Sequence, residues 1–427
     1  MIFSKYIFKN RRLDIGAIQQ SLVNWAIILS GLLFYNGLNA LTLIVVARRV
    51  TPVEYGQYLA SYALVSFLVV LPSFGMDAWL LTQHHATPKS AAALWISSLR
   101  SKGQLLIFWL IGMALLGMVL PAKTFSRPIF LPTVIGVALD SLTLLSMASL
   151  RSQNRHGQVT LLQSISSIIL FAITLILPIT DGYIVRFAVS RTVLSFLVAA
   201  VVVGYLGKEY WRKSLTLTPT REILVSSRSF MFAELASSVY VKADLTIISL
   251  ILGSVGTGVY GPAINLLQAS FMAPKALFFL MVPILSKTYI KQRSAFINKG
   301  IAQLVVQLFV GLTISIVTFF FASEIVGFVF KEAYQSSADI LRLLSPIPFL
   351  RSLNFALGAV LTSSNRQSPR SKIQVFIAIL NLIGNLVVII PWGLAGVSIV
   401  YVLSELFLFI GYGLLLLRDA ILLHRAR

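Results

Sequence analysis

Ten charged side chains lie inside stretches of the sequence that are otherwise apolar. A charge at the middle of a membrane helix costs about 2.5–3.5 kcal/mol on insertion scales. Such residues therefore persist where they pair with one another or face water. The ten are Arg186, Arg191, Lys242, Lys275, Arg351, Asp77, Asp140, Glu234, Asp244 and Glu405. Arg186 and Asp77 lie near the ends of their stretches, where a side chain can reach the membrane surface.

The four deepest cations predict a cavity that binds an anionic substrate. Lys242, Lys275 and Arg351 fall in the middle third of their stretches, and Arg191 lies about 10 Å from the nearer end at 1.5 Å per residue. Cations at this depth attract phosphate strongly because the effective dielectric constant is low. Arginine suits planar phosphate groups, and lysine acts as a point charge. The alternative is that these cations pair with the five acids and only hold helices together.

The buried acids have two interpretations. Glu405 and Asp140 have no charged residue within two helical turns, so each could take up a proton and couple transport to an ion gradient. Glu234 and Asp244 are weaker candidates for the same role. A hydrogen bond between helices is the alternative for all four. Lys242 and Asp244 are about 200° apart on a helix, so at most one of them lines a common cavity.

The elements that must position these charges are membrane helices. Apolar residues make up 57% of the 427 residues and charged residues 11%, against roughly a quarter in a soluble domain. A crossing needs about 20 apolar residues, which predicts an all-α membrane protein of about twelve transmembrane helices. The predicted spans are 22–47, 55–82, 103–121, 129–151, 159–179, 183–206, 228–252, 257–285, 301–323, 340–363, 371–390 and 394–417.

The distribution of positive charge predicts the orientation. With the N-terminus in the cytoplasm, cytoplasmic segments hold 24 of the 35 Lys and Arg residues and the opposite loops hold six. By the positive-inside rule both termini are cytoplasmic, and the excess charge meets anionic membrane lipids rather than nucleic acid. The basic N-terminal arm is followed by too long an apolar stretch for a signal peptide, so we expect an uncleaved anchor.

A weak internal repeat predicts two lobes. Leu41–Ile44 leads into Tyr55 and Gly56 at the start of one span, and Leu245–Ile248 leads into Tyr260 and Gly261 about half a chain later. Six crossings in each half would give a parallel repeat with a site between the lobes near the membrane midplane. The predicted domains are an N-terminal six-helix lobe at 1–206, a basic cytoplasmic linker at 207–227 and a C-terminal six-helix lobe at 228–427.

The segments around this repeat resemble a known family. Residues 47–56, ARRVTPVEYG, resemble the A-R-x-L-G-P-x-x-Y-G signature of Wzx-type polysaccharide transporters, the lipid-linked oligosaccharide flippases of the multidrug/oligosaccharidyl-lipid/polysaccharide exporter superfamily. Residues 74–77, FGMD, resemble the family's F-G-x-D, and residues 258–260 and 282–286 resemble the ends of its eighth helix. Thr51 and Lys331 depart from glycines that are usual there. The motif residues, which we interpret as mainly structural, are Arg48, Tyr55, Gly56, Gly75, Asp77, Tyr260 and Pro283.

The resemblance implies a flippase for an undecaprenyl-diphosphate-linked oligosaccharide in the bacterial inner membrane, working by alternating access and not an enzyme. The units it would carry are repeats of O-antigen, capsule or exopolysaccharide. We predict a monomer that meets other polysaccharide assembly proteins, with no catalytic residues, cofactor or metal. The chain has no cysteine and only four scattered histidines. The rivals are a multidrug or toxin exporter of the same superfamily and a membrane polysaccharide polymerase or glycosyltransferase.

The charge distribution gives a topology prediction. Reporter fusions near residues 215 and 295 should read as cytoplasmic, and fusions near 125 and 335 as periplasmic, because the basic segments stay on the inner side. Alkaline phosphatase and fluorescent-protein fusions measure this directly. An inverted pattern at two or more of the four sites would contradict the two-lobe arrangement.

Overall fold

The computed structural model describes residues 15–82, 88–210 and 217–425, and the regular structure of these ranges is helical throughout. A single 3-10 turn lies at Glu332–Tyr334. The helices are α1 (Ile15–Ala47), α2 (Pro52–Leu68), α3 (Val70–Ser73), α4 (Met76–Thr82), α5 (Pro88–Val119), α6 (Arg127–Ser152), α7 (His156–Ile176), α8 (Tyr183–Tyr210), α9 (Thr220–Ile251), α10 (Gly253–Ser270), α11 (Met272–Lys291), α12 (Arg293–Phe320), α13 (Ala322–Phe330), α14 (Ser336–Leu344), α15 (Pro346–Ser363) and α16 (Gln367–Arg425).

The all-α membrane class is confirmed. Within the described ranges, nine helical stretches are long and apolar enough to cross a membrane. Large apolar side chains such as Phe108 and Val387 are 73% and 66% exposed, which is the arrangement expected where lipid replaces a protein core. Three further crossings would come from the shorter apolar part of α1, from the charged helix α9, and from a break in α16 at Gly393, where φ is 54°. The count of twelve stays a prediction.

The second predicted span is broken near its end. Its start follows from local chemistry: Pro52 occupies the first turn, and Thr51 and Glu54 form a capping box. Helices α2 and α3 form one apolar stretch that ends at Ser73, before Phe74 and Gly75, whose φ values are 46° and 68°. Glycine is needed at 75 for a second reason, because an added Cβ would lie 2.3 Å from the backbone nitrogen of Met231 on α9.

Helices pack mostly within each half of the chain. In the first half α6 packs against α8, α1 against α7 and α5 against α6. In the second half α15 packs against α12, α11 and α16. The main contacts across the halves are α2 with α10 and α9 with α2 and α4. The boundaries of the two predicted lobes stay a prediction.

Helices α2 and α10 meet at three glycines, which we call the glycine seam. A Cβ on Gly56 would lie 2.0 Å from the backbone oxygen of Ser254, and one on Gly258 would lie 2.1 Å from that of Pro52. On Gly261 it would lie 2.2 Å from the side chain of Leu59. Small residues let two helix backbones approach this closely in membranes. The glycine seam therefore joins the two repeat-related helices at the end of the bundle where both begin.

Replacing one glycine of the seam should destabilise the protein. Gly56→Ala places a methyl group against backbone atoms that have nowhere to move, and overpacking of this kind costs about 1–3 kcal/mol. We expect a lower midpoint of thermal unfolding for the purified protein in detergent. Gly112→Ala on α5 is the control, because no neighbouring atom lies within 4 Å of its added Cβ. Equal midpoints for the two variants would contradict the close contact.

Candidate functional site

A cavity of about 680 Å³ lies between the two halves of the chain. Helices α1, α2, α7 and α8 line it from the first half, and α9, α10, α11, α15 and α16 from the second. Its charged lining residues are all cationic: Arg191, Lys275 and Arg351. Its other lining side chains include four amides and eight aromatic rings, namely Asn36, Asn39, Asn265, Gln268, Tyr35, Tyr58, Tyr62, Tyr401, Phe187, Phe271, Phe279 and Phe355.

Three of the four predicted substrate-binding cations therefore come together in one place. Lys242 is the exception. Its ammonium group donates a hydrogen bond to the backbone oxygen of Ser66, at 2.8 Å, and the neighbouring Val241 lines the cavity instead. Asp244, two residues on, is directed to Asn385 of the second half, so the two charges diverge as their spacing on the helix requires.

Arg191 is paired within the first half. Its guanidinium lies 3.4 Å from a carboxylate oxygen of Asp140 on α6 and donates to the hydroxyl of Tyr58 at 2.8 Å. It also lies 4.4 Å from the centre of the Tyr62 ring, a cation–π distance. The interhelix pairing considered for Asp140 is thus present, and the arginine still lines the cavity.

Arg351 is paired in the same way within the second half. Its guanidinium donates to a carboxylate oxygen of Glu405 at 2.7 Å, and the amide of Asn354 donates to the other oxygen at 2.8 Å. The Glu405 side chain is fully buried, whereas 18% of the Arg351 side chain is exposed. The acid lies behind the arginine, so the cavity wall presents the cation alone.

Lys275 differs from both arginines. It lies in the first turn of α11, after the break in helix geometry at Phe271. Its side chain is exposed in the cavity, and no acidic partner for it occurs among the described residues. The charge of Lys275 is therefore available to a ligand without breaking an ion pair.

Asp244 belongs to a buried polar chain that the sequence did not reveal. Asn385 donates to its carboxylate at 2.6 Å and to the side-chain oxygen of Asn381 at 3.1 Å, and Asn381 in turn donates to Ser404 at 3.1 Å. The two asparagines are four residues apart on α16, so they share one face. Two asparagines at that spacing within an apolar stretch were the feature of the sequence that could have indicated this polar chain.

One expectation about charge needs correction. The predicted span 103–121 leaves Lys102 outside the membrane, and the sequence places Asp77 where its side chain can reach the membrane surface. In the structure α5 begins at Pro88, and Lys102 is completely buried inside the bundle. Its ammonium group contacts both carboxylate oxygens of Asp77, at 2.8 and 3.0 Å. Lys102 lies too close to the start of its apolar run for hydropathy to place it inside.

The family-motif residues lie outside the cavity lining. Arg48 is exposed, while its neighbour Arg49 holds the end of α7 by donating to backbone oxygens there, including those of Thr174 and Leu175. Tyr55 is buried and accepts a hydrogen bond from Asn265 at 2.9 Å. Gly56 and Gly75 make the close contacts described above, Tyr260 is buried in the core, and Pro283 lies inside α11.

Comparisons of sequence give two findings. The profile of the family described as "Polysaccharide biosynthesis protein" matches residues 21–289. The probable low-salt glycan biosynthesis flippase Agl15 of Haloferax volcanii is 23% identical over 191 residues, which are 43% of this chain and 39% of that protein. The chain therefore aligns with well under half of this relative's length.

Comparisons of structure give the fold. An inward-facing multidrug resistance MATE family transporter of the MOP superfamily has a TM-score of 0.70 at 14% identity, covering 94% of this chain and 100% of that one. The lipid II flippase MurJ in an inward closed conformation has a TM-score of 0.71 at 14% identity, covering 90% and 86%. A MOP superfamily transporter from Pyrococcus furiosus has a TM-score of 0.62 at 14% identity, covering 93% and 94%.

The Arg351–Glu405 pair gives a prediction on abundance. Arg351→Ala leaves the buried carboxylate of Glu405 without its counter-charge, a loss of about 3–5 kcal/mol for buried pairs. Quantitative blotting of membranes should show depletion of this variant. A second change, Glu405→Gln, removes the unpaired charge and should restore the amount of protein.

Arg342→Ala is the matched control. Its pair with Asp339 is exposed, and such surface pairs contribute about 0–1 kcal/mol, so abundance should stay near that of the wild type. Normal abundance of Arg351→Ala would mean that water in the cavity solvates Glu405, contrary to the buried contact.

Proposed function

Because the chain belongs to the polysaccharide biosynthesis protein family, we propose that it is a flippase for a lipid-linked oligosaccharide. The cargo is an undecaprenyl-diphosphate-linked unit, moved from the cytoplasmic to the periplasmic leaflet of the bacterial inner membrane. The observation that carries this proposal is the cavity between the halves, whose charged lining residues are all cationic.

The cations supply the site for the diphosphate. Arg191 and Arg351 line the cavity, and each is paired with an acid that does not line it, so their charges are largely compensated. Lys275 has no such compensation and gives the lining its net positive charge. We assign the primary electrostatic contact with the diphosphate to Lys275, with the two guanidinium groups as hydrogen-bond donors to its oxygens.

The uncharged lining suits a sugar. Asn36, Asn39, Asn265 and Gln268 offer amide donors and acceptors that match sugar hydroxyl groups. The tyrosines combine an apolar ring with a polar hydroxyl, which fits a ligand that has both apolar and polar faces. The polyprenyl tail stays in the lipid, where it meets the apolar outer surface of the bundle.

The position of the cavity supports alternating access as the mechanism of the proposed flippase. The glycine seam holds the halves together at the end of the bundle where α2 and α10 begin, which is the periplasmic end in the proposed orientation. Movement of the halves about the cavity would open this end and release the cargo on the far side.

The multidrug transporters with the same fold make a drug exporter the second candidate. Cationic drugs favour a cavity of net negative charge. In the part of the chain that the structure describes, the cavity wall carries three cations and no acid. A polymerase or glycosyltransferase is the third candidate, and the transporter-type fold gives it no support.

A deletion strain tests the function. Without the protein, cells should lack the surface polymer and still make the lipid-linked unit, because delivery and not synthesis is blocked. Mass spectrometry of the lipid fraction and immunodetection of the surface polymer measure the two quantities. Absence of the lipid-linked unit would indicate that the protein takes part in the synthesis of this unit and not in its delivery.

Complementation of that strain with variants tests the role of Lys275. Lys275→Ala should reduce the polymer by at least tenfold at normal protein abundance, because the side chain has no ion pair among the described residues, and Lys275→Arg should keep part of the activity. Lys123→Ala, at an exposed loop lysine, is the control and should restore polymer fully. Full polymer from Lys275→Ala would refute the diphosphate assignment.

A further inference from the structure

A second set of buried charges lies away from the cavity, where the two halves touch. Its core is the Asp77–Lys102 pair of the first half. The ammonium group of Lys102 also donates to the backbone oxygen of Ser141 at 2.8 Å, so all three of its hydrogens have acceptors. This pair is complete in itself and needs no group from the second half.

Glu234 of the second half is brought against this pair. It lies on α9, three residues after Met231, whose backbone nitrogen is in contact with Gly75. The carboxylate of Glu234 interacts with the backbone of Gly75. Its oxygen Oε2 is buried and has no hydrogen-bond partner among the described residues.

The charges that face Glu234 do not neutralise it in a simple way. Asp77 on α4 repels its ionised form, while Lys102 on α5 and Lys242 on α9 attract it. Lys102 is already committed to Asp77, and Lys242 donates to Ser66. A buried carboxylate oxygen without a donor is costly. Uptake of one proton from water converts the carboxylate to a neutral carboxylic acid and lowers that cost, because an uncharged polar group is cheaper to bury, and release restores the charge.

We propose that Glu234 is a proton-binding site whose occupancy is linked to the contact between the two halves. The link arises because the groups that set its environment, Gly75 and the Asp77–Lys102 pair, belong to the first half while Glu234 belongs to the second. Movement of α9 away from α4 gives the carboxylate access to water and separates it from Asp77. Two conformations with different proton affinities must shift their populations with pH.

This site gives the proposed flippase a means of coupling to a proton gradient, and that part of the inference rests on the proposed function. The linkage between protonation and helix contact does not. Asp140 and Glu405 are less suited to the role because each is held by an arginine of its own half. Among the four acids considered from the sequence, Glu234 reports on the contact between halves.

The test measures the distance between α4 and α9 as a function of pH. The chain has no cysteine, so Leu81→Cys and Val225→Cys, both at exposed positions, give a unique pair for spin labels. Double electron–electron resonance on the reconstituted full-length protein should show a distance distribution that changes when the buffer is moved from alkaline to acidic pH, because Glu234 then gains a proton. No added substrate is required.

In the same labelled background Glu234→Gln should abolish the pH response, because the amide keeps an acceptor for Gly75 but cannot titrate. Glu222→Gln, an exposed acid on the same helix, should respond as the parent does. Glu234→Asp keeps a titrating group and should respond with a shifted midpoint, which guards against simple misfolding of the glutamine variant. A parent without pH response, or a Glu234→Gln variant that responds like the parent, would overturn the proposal.

The two proposals fail separately. Suppose that the pH response depends on Glu234 but that deletion of the protein leaves the surface polymer intact. This result would support the proton-binding site and refute the flippase function. Suppose instead that the deletion strain accumulates the lipid-linked unit and that the protein is insensitive to pH. This result would support the flippase function and refute the proton-binding site.

Discussion

The cost of placing charge in hydrocarbon is the constraint on which this structure depends. Among the described residues, three ion pairs inside the bundle each join two helices of the same half: Lys102 with Asp77, Arg191 with Asp140, and Arg351 with Glu405. Neither acid of the two arginine pairs lines the cavity, whereas both arginines do. Pairing therefore makes the charges tolerable and still leaves a positive surface between the halves.

Hydropathy predicted the helices because the preference of an apolar run for lipid is a local property. It also predicted that Arg191, Lys275 and Arg351 are deep, but their pairing depends on how helices pack, which one sequence does not show. Lys242 and Lys102 show in opposite ways that the position of a residue in an apolar run does not determine its surroundings. Lys242 is central in its span and misses the cavity, while Lys102 is near the start of an apolar run and is fully buried.

The repeat in the sequence has a structural counterpart that is only partly symmetrical. Tyr55-Gly56 and Tyr260-Gly261 lie on α2 and α10, which pack against each other. The equivalent glycines nevertheless have different neighbours: Gly56 meets backbone of Ser254, and Gly261 meets the side chain of Leu59. The glycine seam therefore contains a contact with backbone, which cannot adapt, and a contact with a side chain, which can.

The sequence separation of each ion pair also determines how long its first partner waits for the second during synthesis. Asp77 and Lys102 are 25 residues apart on neighbouring helices, whereas Asp140 precedes Arg191 by 51 residues and Arg351 precedes Glu405 by 54. At about 5–20 residues per second, the ribosome reaches Glu405 roughly 3–11 s after Arg351. During that interval the nascent helix carries an uncompensated charge, so it must be held at the insertion machinery, beside protein or water, until its partner arrives.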